Sequence, residues 1–553
     1  MSIANNSIDV YDTTLRDGTQ QEGINLSITD KLAIAVLLDQ LGVGFIEGGW
    51  PGAIPKDTEF FARARNELNL QHAVLAAFGA TRKADTRTDQ DEQVLALLAA
   101  ETPMVTLVAK SDSRHVEYAL RTTNAENLAM ISDTVKLLVK EGRRVVVDAE
   151  HFFDGYRFDP KYALEAVIAA FDAGAETVCL CDTNGGMVPD FVSEIVGQVH
   201  ATLGAQARLG IHAHNDAGCA IANSLAAINA GAQHVQGTVN GYGERTGNAD
   251  LIAVVANLNL KYGFQLLPGK LGESTRIAHT IAEIVNIAPF ARQPYVGLSA
   301  FAHKAGLHAS AIKVHPDMYQ HADPAIVGND MRMLVSEMAG RASVELKGRE
   351  LGFDLSGQKD LLTRVTKRVK DAEANGYTYD AADASFELML REEQDGERPN
   401  FFTVDSWRAF VETVPGHNND DPIAEATVKI RIGGRRIVKT AEGNGPVNAL
   451  DAALREALIP IYPEIETFAL RDYKVRIMEA DFGTDSTTRV LITTASPERY
   501  WRTVGVGTNV IEASWEALID GYTYGLMKSA QAFDADESTD ESAEVSMDSH
   551  WHI

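Results

Sequence analysis

The sequence predicts an α/β chain: a (β/α)8 (TIM) barrel, then a helical subdomain, then a C-terminal α+β regulatory domain with an internal repeat. Three observations predict it. Eight short β-rich runs, each closed by a polar or glycine-containing cluster and followed by a helical stretch, fill about 250 residues, the length and count of such a barrel. Helical periodicity then dominates from about residue 262 to about 425. After the linker-like HNNDDP at 417–422 the pattern changes to alternating strands, in two similar halves.

Taken in order, the strand candidates are 8–13 (IDVYDT), 44–49 (GFIEGG), 72–79 (HAVLAAFG), 104–111 (MVTLVAKS), 144–152 (RVVVDAEHF), 177–184 (TVCLCDTN), 208–216 (RLGIHAHND) and 234–241 (HVQGTVNG). Between them, runs such as ITDKLAIAVLLDQLG and AENLAMISDTVKLLVKEG place apolar residues at i, i+3 and i+4. A doubly wound open sheet does not usually reach eight evenly spaced units. The helical region holds one polar insert, FAHKAGLHASAIKVHPDMYQH (301–321). In the last region EGNGPVNALDAALREAL is echoed by VGVGTNVIEASWEALIDGY. Each half has a Gly-x-Gly turn leading into a helix with an acid–Ala step, Asp451-Ala452 and Glu512-Ala513. The expected boundaries are 1–265 for the barrel, 266–420 for the helical part, 421–530 for the regulatory and dimerisation domain, and 531–553 for a disordered acidic tail.

A length of 553 residues implies two or three domains. The net charge of −27 argues against nucleic acid or an anionic membrane as partner. No apolar run is long enough to span a bilayer, and MSIANNSIDV shows no basic-then-apolar segment. The three cysteines, Cys179, Cys181 and Cys219, make no disulfide framework, so a reducing cytoplasm is expected.

Active sites of such barrels lie at the C-terminal ends of the strands. Those ends carry Arg16-Asp17, Glu47, Phe78, Lys110, Asp148, Glu150-His151, Asp182-Thr183, His212-x-His214 and Asn240 onward, a high density of titratable groups. His212 and His214, two apart on one strand, point to one side and suit one divalent ion. Barrel closure brings strand 7 within two places of strand 1, so Asp17 and, from the segment after strand 8, Asn248 are candidates to complete the set. Arg16 suits a substrate carboxylate or a developing oxyanion, or else a rim salt bridge. Glu150 is placed to act as a general base or to orient one, and Thr183 to hydrogen-bond a carboxylate, with Glu47 and Asp182 in or beside the site. The chemistry implied is metal-assisted carbon–carbon bond formation or cleavage beside the ketone of a 2-oxo acid.

DTTLRDGTQ near the start, HAHND on strand 7 and NGYGERTGNADL after strand 8 together resemble the metal-dependent acyl-CoA condensing enzymes of the isopropylmalate, homocitrate and citramalate synthase family. The resemblance covers nearly all of the chain outside the acidic tail. It implies a Claisen-like condensation, in which the enolate of acetyl-CoA attacks a 2-oxo acid and thioester hydrolysis frees coenzyme A. Asp17, His212, His214 and Asn248 would hold a divalent cation (Mn2+, Mg2+ or Zn2+). Arg16 and Thr183 would bind substrate, joined by Glu47 from its place at a strand end, and Arg16 and Glu150 would act in catalysis. The insert at 301–321 resembles the segment that reaches over a partner subunit's barrel, with His308 and Tyr319 as its catalytic candidates. Ala309-Ser310 depart there from the acidic or amide residue of many members. The C-terminal repeat resembles the family's allosteric domain, implying a homodimer and an amino-acid feedback inhibitor. The loop GGWPGAIPKD after strand 2 resembles the subgroup acting on pyruvate, a step toward isoleucine. Trp50 either narrows the pocket or packs under that loop. The rival substrates are 2-oxoisovalerate and 2-oxoglutarate, and the rival classes are a lyase of the wider superfamily and a non-catalytic amino-acid sensor.

Overall fold

A computed structural model describes residues 8–204, 206–412, 424–478 and 486–547, with side chains to residue 531. The strands are β1 (Asp9–Asp12), β2 (Phe45–Glu47), β3 (Val74–Ala80), β4 (Met104–Lys110), β5 (Arg144–Glu150), β6 (Thr177–Asp182), β7 (Leu209–Ala213) and β8 (His234–Gly237). They pair in that order, all parallel, and β8 closes on β1 with Asp12 beside Gly237. The expected barrel is therefore present. Helix starts follow from local chemistry: Ser27 and Asp30 form a reciprocal capping box for helix Ile28–Leu41. Asp91, Thr123, Asp159 and Asp250 cap four others with their side chains.

The strands are short and their faces chemically divided. Leu38, Ile46, Phe60, Val105, Val147, Val178 and Ile211 pack in the layer between strands and helices. Tyr11, Phe45, Met104, Val146 and Cys179 fill the lower barrel interior. Above them the interior turns polar. The chain's apolar residues thus close one end of the barrel and leave the other to chemistry. Cys179 and Cys181 are buried free thiols, as their place on an apolar strand implies.

The chain divides into two compact units, residues 1–301 with 322–330, and residues 302–321 with 331–553. The second begins with a two-stranded parallel sheet, β9 (Ala302–His303) and β10 (Arg332–Met333), and helices that include Gly306–Val314, Arg341–Glu350, Lys359–Ala374 and Asp383–Asp395. The internal repeat follows. Strands β11 (Thr403–Val411), β12 (Ala424–Ile432) and β13 (Arg435–Gly443) form an antiparallel sheet with helix Pro446–Leu458. Strands β14 (Ala469–Ile477), β15 (Thr488–Ala495) and β16 (Tyr500–Gly507) form another with helix Val510–Met547. Val428, Ile430, Leu450 and Leu454 of the first half join Val490, Ile492, Trp501 and Leu518 of the second in one cluster. The Gly-x-Gly turns have a packing cause: a Cβ on Gly505 would lie 2.0 Å from the Ala513 carbonyl oxygen, and one on Gly443 2.5 Å from the Ala449 nitrogen. The last helix enters the stretch expected to be disordered, and residues 548–553 of that tail lie outside the described residues. Among the described residues no helix is long and apolar enough to cross a membrane.

Candidate active site

At the C-terminal ends of the strands a cavity of about 550 Å³ is lined by Arg16, Asp17, Trp50, Phe78, Lys110, Asp148, Glu150, Thr183, His212 and His214 among others. Most of the residues expected at the site meet there. Asp17 follows β1 and accepts at its Oδ2 from His212 Nε2 at 3.2 Å, with His214 Nε2 at 3.9 Å. Asp17, His212 and His214 are all buried, and each offers a ligand atom within 4.8 Å of the others. Asn248 is drawn beside His214 by an isolated β-bridge. Its Nδ2 donates to the Tyr242 carbonyl at 2.9 Å, while its buried Oδ1 has no hydrogen-bond partner among the described residues. A buried acceptor of this kind is costly unless something fills it. A carboxylate, two imidazoles and an orphaned amide oxygen make a donor set that fits a divalent cation.

The charges support this. Burial alone would raise the Asp17 carboxyl, but Arg16, His212 and His214 outweigh it and hold it well below the usual carboxylate range. Burial pushes His212 down, and its bond to Asp17 more than reverses this, so it holds a proton above its ordinary value. Burial and the neighbouring His212 push His214 down to about 4, leaving it neutral with a lone pair to give.

Arg16 stands at the rim between two acids. Its Nε donates to Glu47 Oε1 at 2.6 Å, its Nη1 lies 3.6 Å from Asp17 Oδ2, and its guanidinium covers the Phe78 ring at 3.9 Å. Glu47, expected against the substrate, is wholly buried; the Tyr11 hydroxyl donates to its other oxygen at 2.9 Å. Its observed part is to hold Arg16 from behind. Glu150 is ion-paired with Lys110 on the adjacent strand. Thr183 Oγ1 accepts from the His151 N–H at 2.9 Å, which leaves its own proton as a donor. Asp182 accepts from the Gly186 and Met187 N–H groups and so shapes the turn after β6. Trp50 donates from Nε1 to Gln93 at 2.6 Å, meets Phe78 edge-on at 5.1 Å, and still lines the cavity. His308 and Tyr319 lie in the second unit, where their rings stack at 4.0 Å.

Two residues of the site were given no role by the sequence: Asp148, noted only among the strand-end acids, and Gln236, which nothing singled out. Gln236 on β8 holds His212 Nδ1 at 2.9 Å, and its Nε2 donates to Asp148 at 2.8 Å. Burial and the charge of Glu47 push the Asp148 carboxyl up to about 7. The strand period gives each an inward face, but not their meeting across the barrel.

Residues 7–280 match the family described as HMGL-like, residues 295–376 the homocitrate synthase post-HMGL domain-like family, and residues 380–526 the LeuA allosteric (dimerisation) domain. The chain is 62% identical to an (R)-citramalate synthase of Streptomyces coelicolor over 96% of its own length and 99% of the relative's. It is 48% identical to one of Synechocystis over 95% of its own length and 97% of the relative's. The chain belongs to the (R)-citramalate synthase family. A 2-isopropylmalate synthase of Methanocaldococcus jannaschii is 29% identical over 94% of this chain and 95% of that one. Family membership brings metal-dependent condensing chemistry and an allosteric, dimerising C-terminal domain.

Proposed function

We propose that the chain joins the methyl carbon of acetyl-CoA to the ketone carbon of pyruvate and, with one water, releases citramalate and coenzyme A. The observation that carries this reading is the meeting of Arg16, Glu150 and Thr183 around one cavity with the donor set Asp17, His212, His214 and Asn248. A cation held by those four would act as a Lewis acid on the oxo acid's ketone. Arg16, a fixed charge gripped by Glu47, binds the oxo acid and stabilises negative charge that develops on oxygen. Thr183 donates its hydroxyl proton to the substrate carboxylate. Glu150 assists removal of the methyl proton of acetyl-CoA, and Lys110 orients it. Trp50 and Phe78 form an apolar wall beside Arg16, and we assign to them the exclusion of the larger side chain of 2-oxoisovalerate.

His308 and Tyr319 are assigned to thioester hydrolysis in a homodimer, and an end-product amino acid is assigned to the domain over 421–530. The barrel, 1–265, and the helical part, 266–420, complete the division. A cytoplasmic setting fits a consumer of acetyl-CoA. The test is thiol release from acetyl-CoA with pyruvate, 2-oxoisovalerate or 2-oxoglutarate, each with and without a chelator. Release with pyruvate alone, abolished by chelation, is expected. Release with 2-oxoisovalerate alone would overturn the substrate, and release unaffected by thorough demetallation would overturn the metal.

A further inference from the structure

We propose that Asp148 is a positioning residue for the metal centre: acting through Gln236, it fixes the tautomer of His212. The proposal rests on the assignment of Asp17, His212 and His214 as ligands. Three buried side chains form the relay. Gln236 is fully buried, with Asp148 and His212 nearly so. Gln236 Nε2 donates to Asp148 Oδ1 at 2.8 Å, Gln236 Oε1 lies 2.9 Å from His212 Nδ1, and His212 Nε2 faces Asp17 at 3.2 Å.

The two ends of a glutamine amide are nearly equal in size, so shape alone does not decide which end meets the histidine. Asp148 decides it. An ionised carboxylate only accepts hydrogen bonds, so it takes the NH2 end and turns the carbonyl toward His212. Nδ1 must then carry the ring proton. Once the ring is neutral, its lone pair is on Nε2, the nitrogen facing Asp17, which is the form a cation needs. With the amide reversed, an NH2 would face Nδ1 and drive the ring proton onto Nε2, where it opposes the ion. Asp148 and Glu150 share β5 two residues apart, so one strand would supply both the lock and the base.

Isosteric substitutions separate this role from packing. In Asp148→Asn the residue donates as well as accepts, and the amide of Gln236 is free to reverse. Mn2+ affinity of the full chain, read from the electron paramagnetic resonance signal of free Mn2+ at about pH 8, should fall about 10–100-fold, the usual effect of losing such an outer contact. Adding Gln236→Glu restores an acceptor to His212 Nδ1 and a second oxygen to the amide of the new asparagine. Affinity should return to within about threefold of wild type, with melting temperatures showing all variants folded. Unchanged affinity in D148N would overturn the proposal, and so would a loss that Gln236→Glu does not recover. His212→Ala separates the levels: Mn2+ binding equal to wild type would overturn the ligand assignment itself, whereas loss there with none in D148N would remove only the lock.

Discussion

Glu47→Gln tests how Arg16 is held. The substitution keeps shape and removes one charge from a wholly buried group. In the native site Glu47 Oε1 takes the Arg16 Nε proton at 2.6 Å and Oε2 takes the Tyr11 hydroxyl proton at 2.9 Å. Glutamine can still give its oxygen to Arg16 and turn its NH2 toward the Tyr11 oxygen, whose proton then goes to Thr106. The fold should therefore survive. What is lost is the opposing charge. Arg16 stays charged and keeps a charge-assisted bond to the amide oxygen, so the loss is smaller than the about 3–5 kcal/mol of breaking a buried pair outright, about 1–2 kcal/mol. If that grip keeps the guanidinium aimed at substrate, kcat/KM for the oxo acid should fall by about 5–30-fold, at about tenfold per 1.4 kcal/mol. Steady-state thiol release over a pyruvate titration measures it, with Arg16→Lys alongside as the larger loss. A kcat/KM for Glu47→Gln within about twofold of wild type would refute the account of Arg16. So would a loss as large as that of Arg16→Lys, because Glu47 would then be doing more than holding.

Two further outcomes follow from the geometry. His212 holds a proton above its ordinary value because of Asp17, and a cation must displace it. Mn2+ affinity should therefore weaken as pH falls from about 8 to about 6, approaching tenfold per unit where one proton is exchanged; a flat profile would refute the ligand role. In the C-terminal domain Gly505→Ala puts a Cβ 2.0 Å from the Ala513 carbonyl oxygen. It should cost at least about 1–3 kcal/mol, lowering the domain's melting temperature by several degrees. The control Gly507→Ala meets nothing closer than 3.6 Å and should be nearly silent; equal melting curves for the two would refute the packing reading.

The sequence made the barrel legible because strand runs and amphipathic helices alternate without interruption, and each polar cluster marks a strand's C-terminal end. It made Asp17, His212 and His214 legible because a two-residue period puts both histidines on one face, and closure places β1 near β7. It did not show the Lys110–Glu150 pair, which depends on the register between β4 and β5. Nor did it show that Glu47 faces Arg16 from behind. Spacing cannot tell a residue touching substrate from one touching its neighbour, because both sit at a strand end. The contact between Asp148 and Gln236 is harder still: β5 and β8 are not neighbours in the sheet, and only the barrel's diameter brings their side chains together.

The two halves of the C-terminal domain share one hydrophobic cluster, with helix Pro446–Leu458 and helix Val510–Met547 both contributing to it. A close-packed interior does not deform by degrees. Any displacement of one half against the other must break and remake that common interior together, so the domain moves between discrete arrangements or not at all. A repeat fused in this way is suited to act as a switch with few positions, not as a pair of independent sensors.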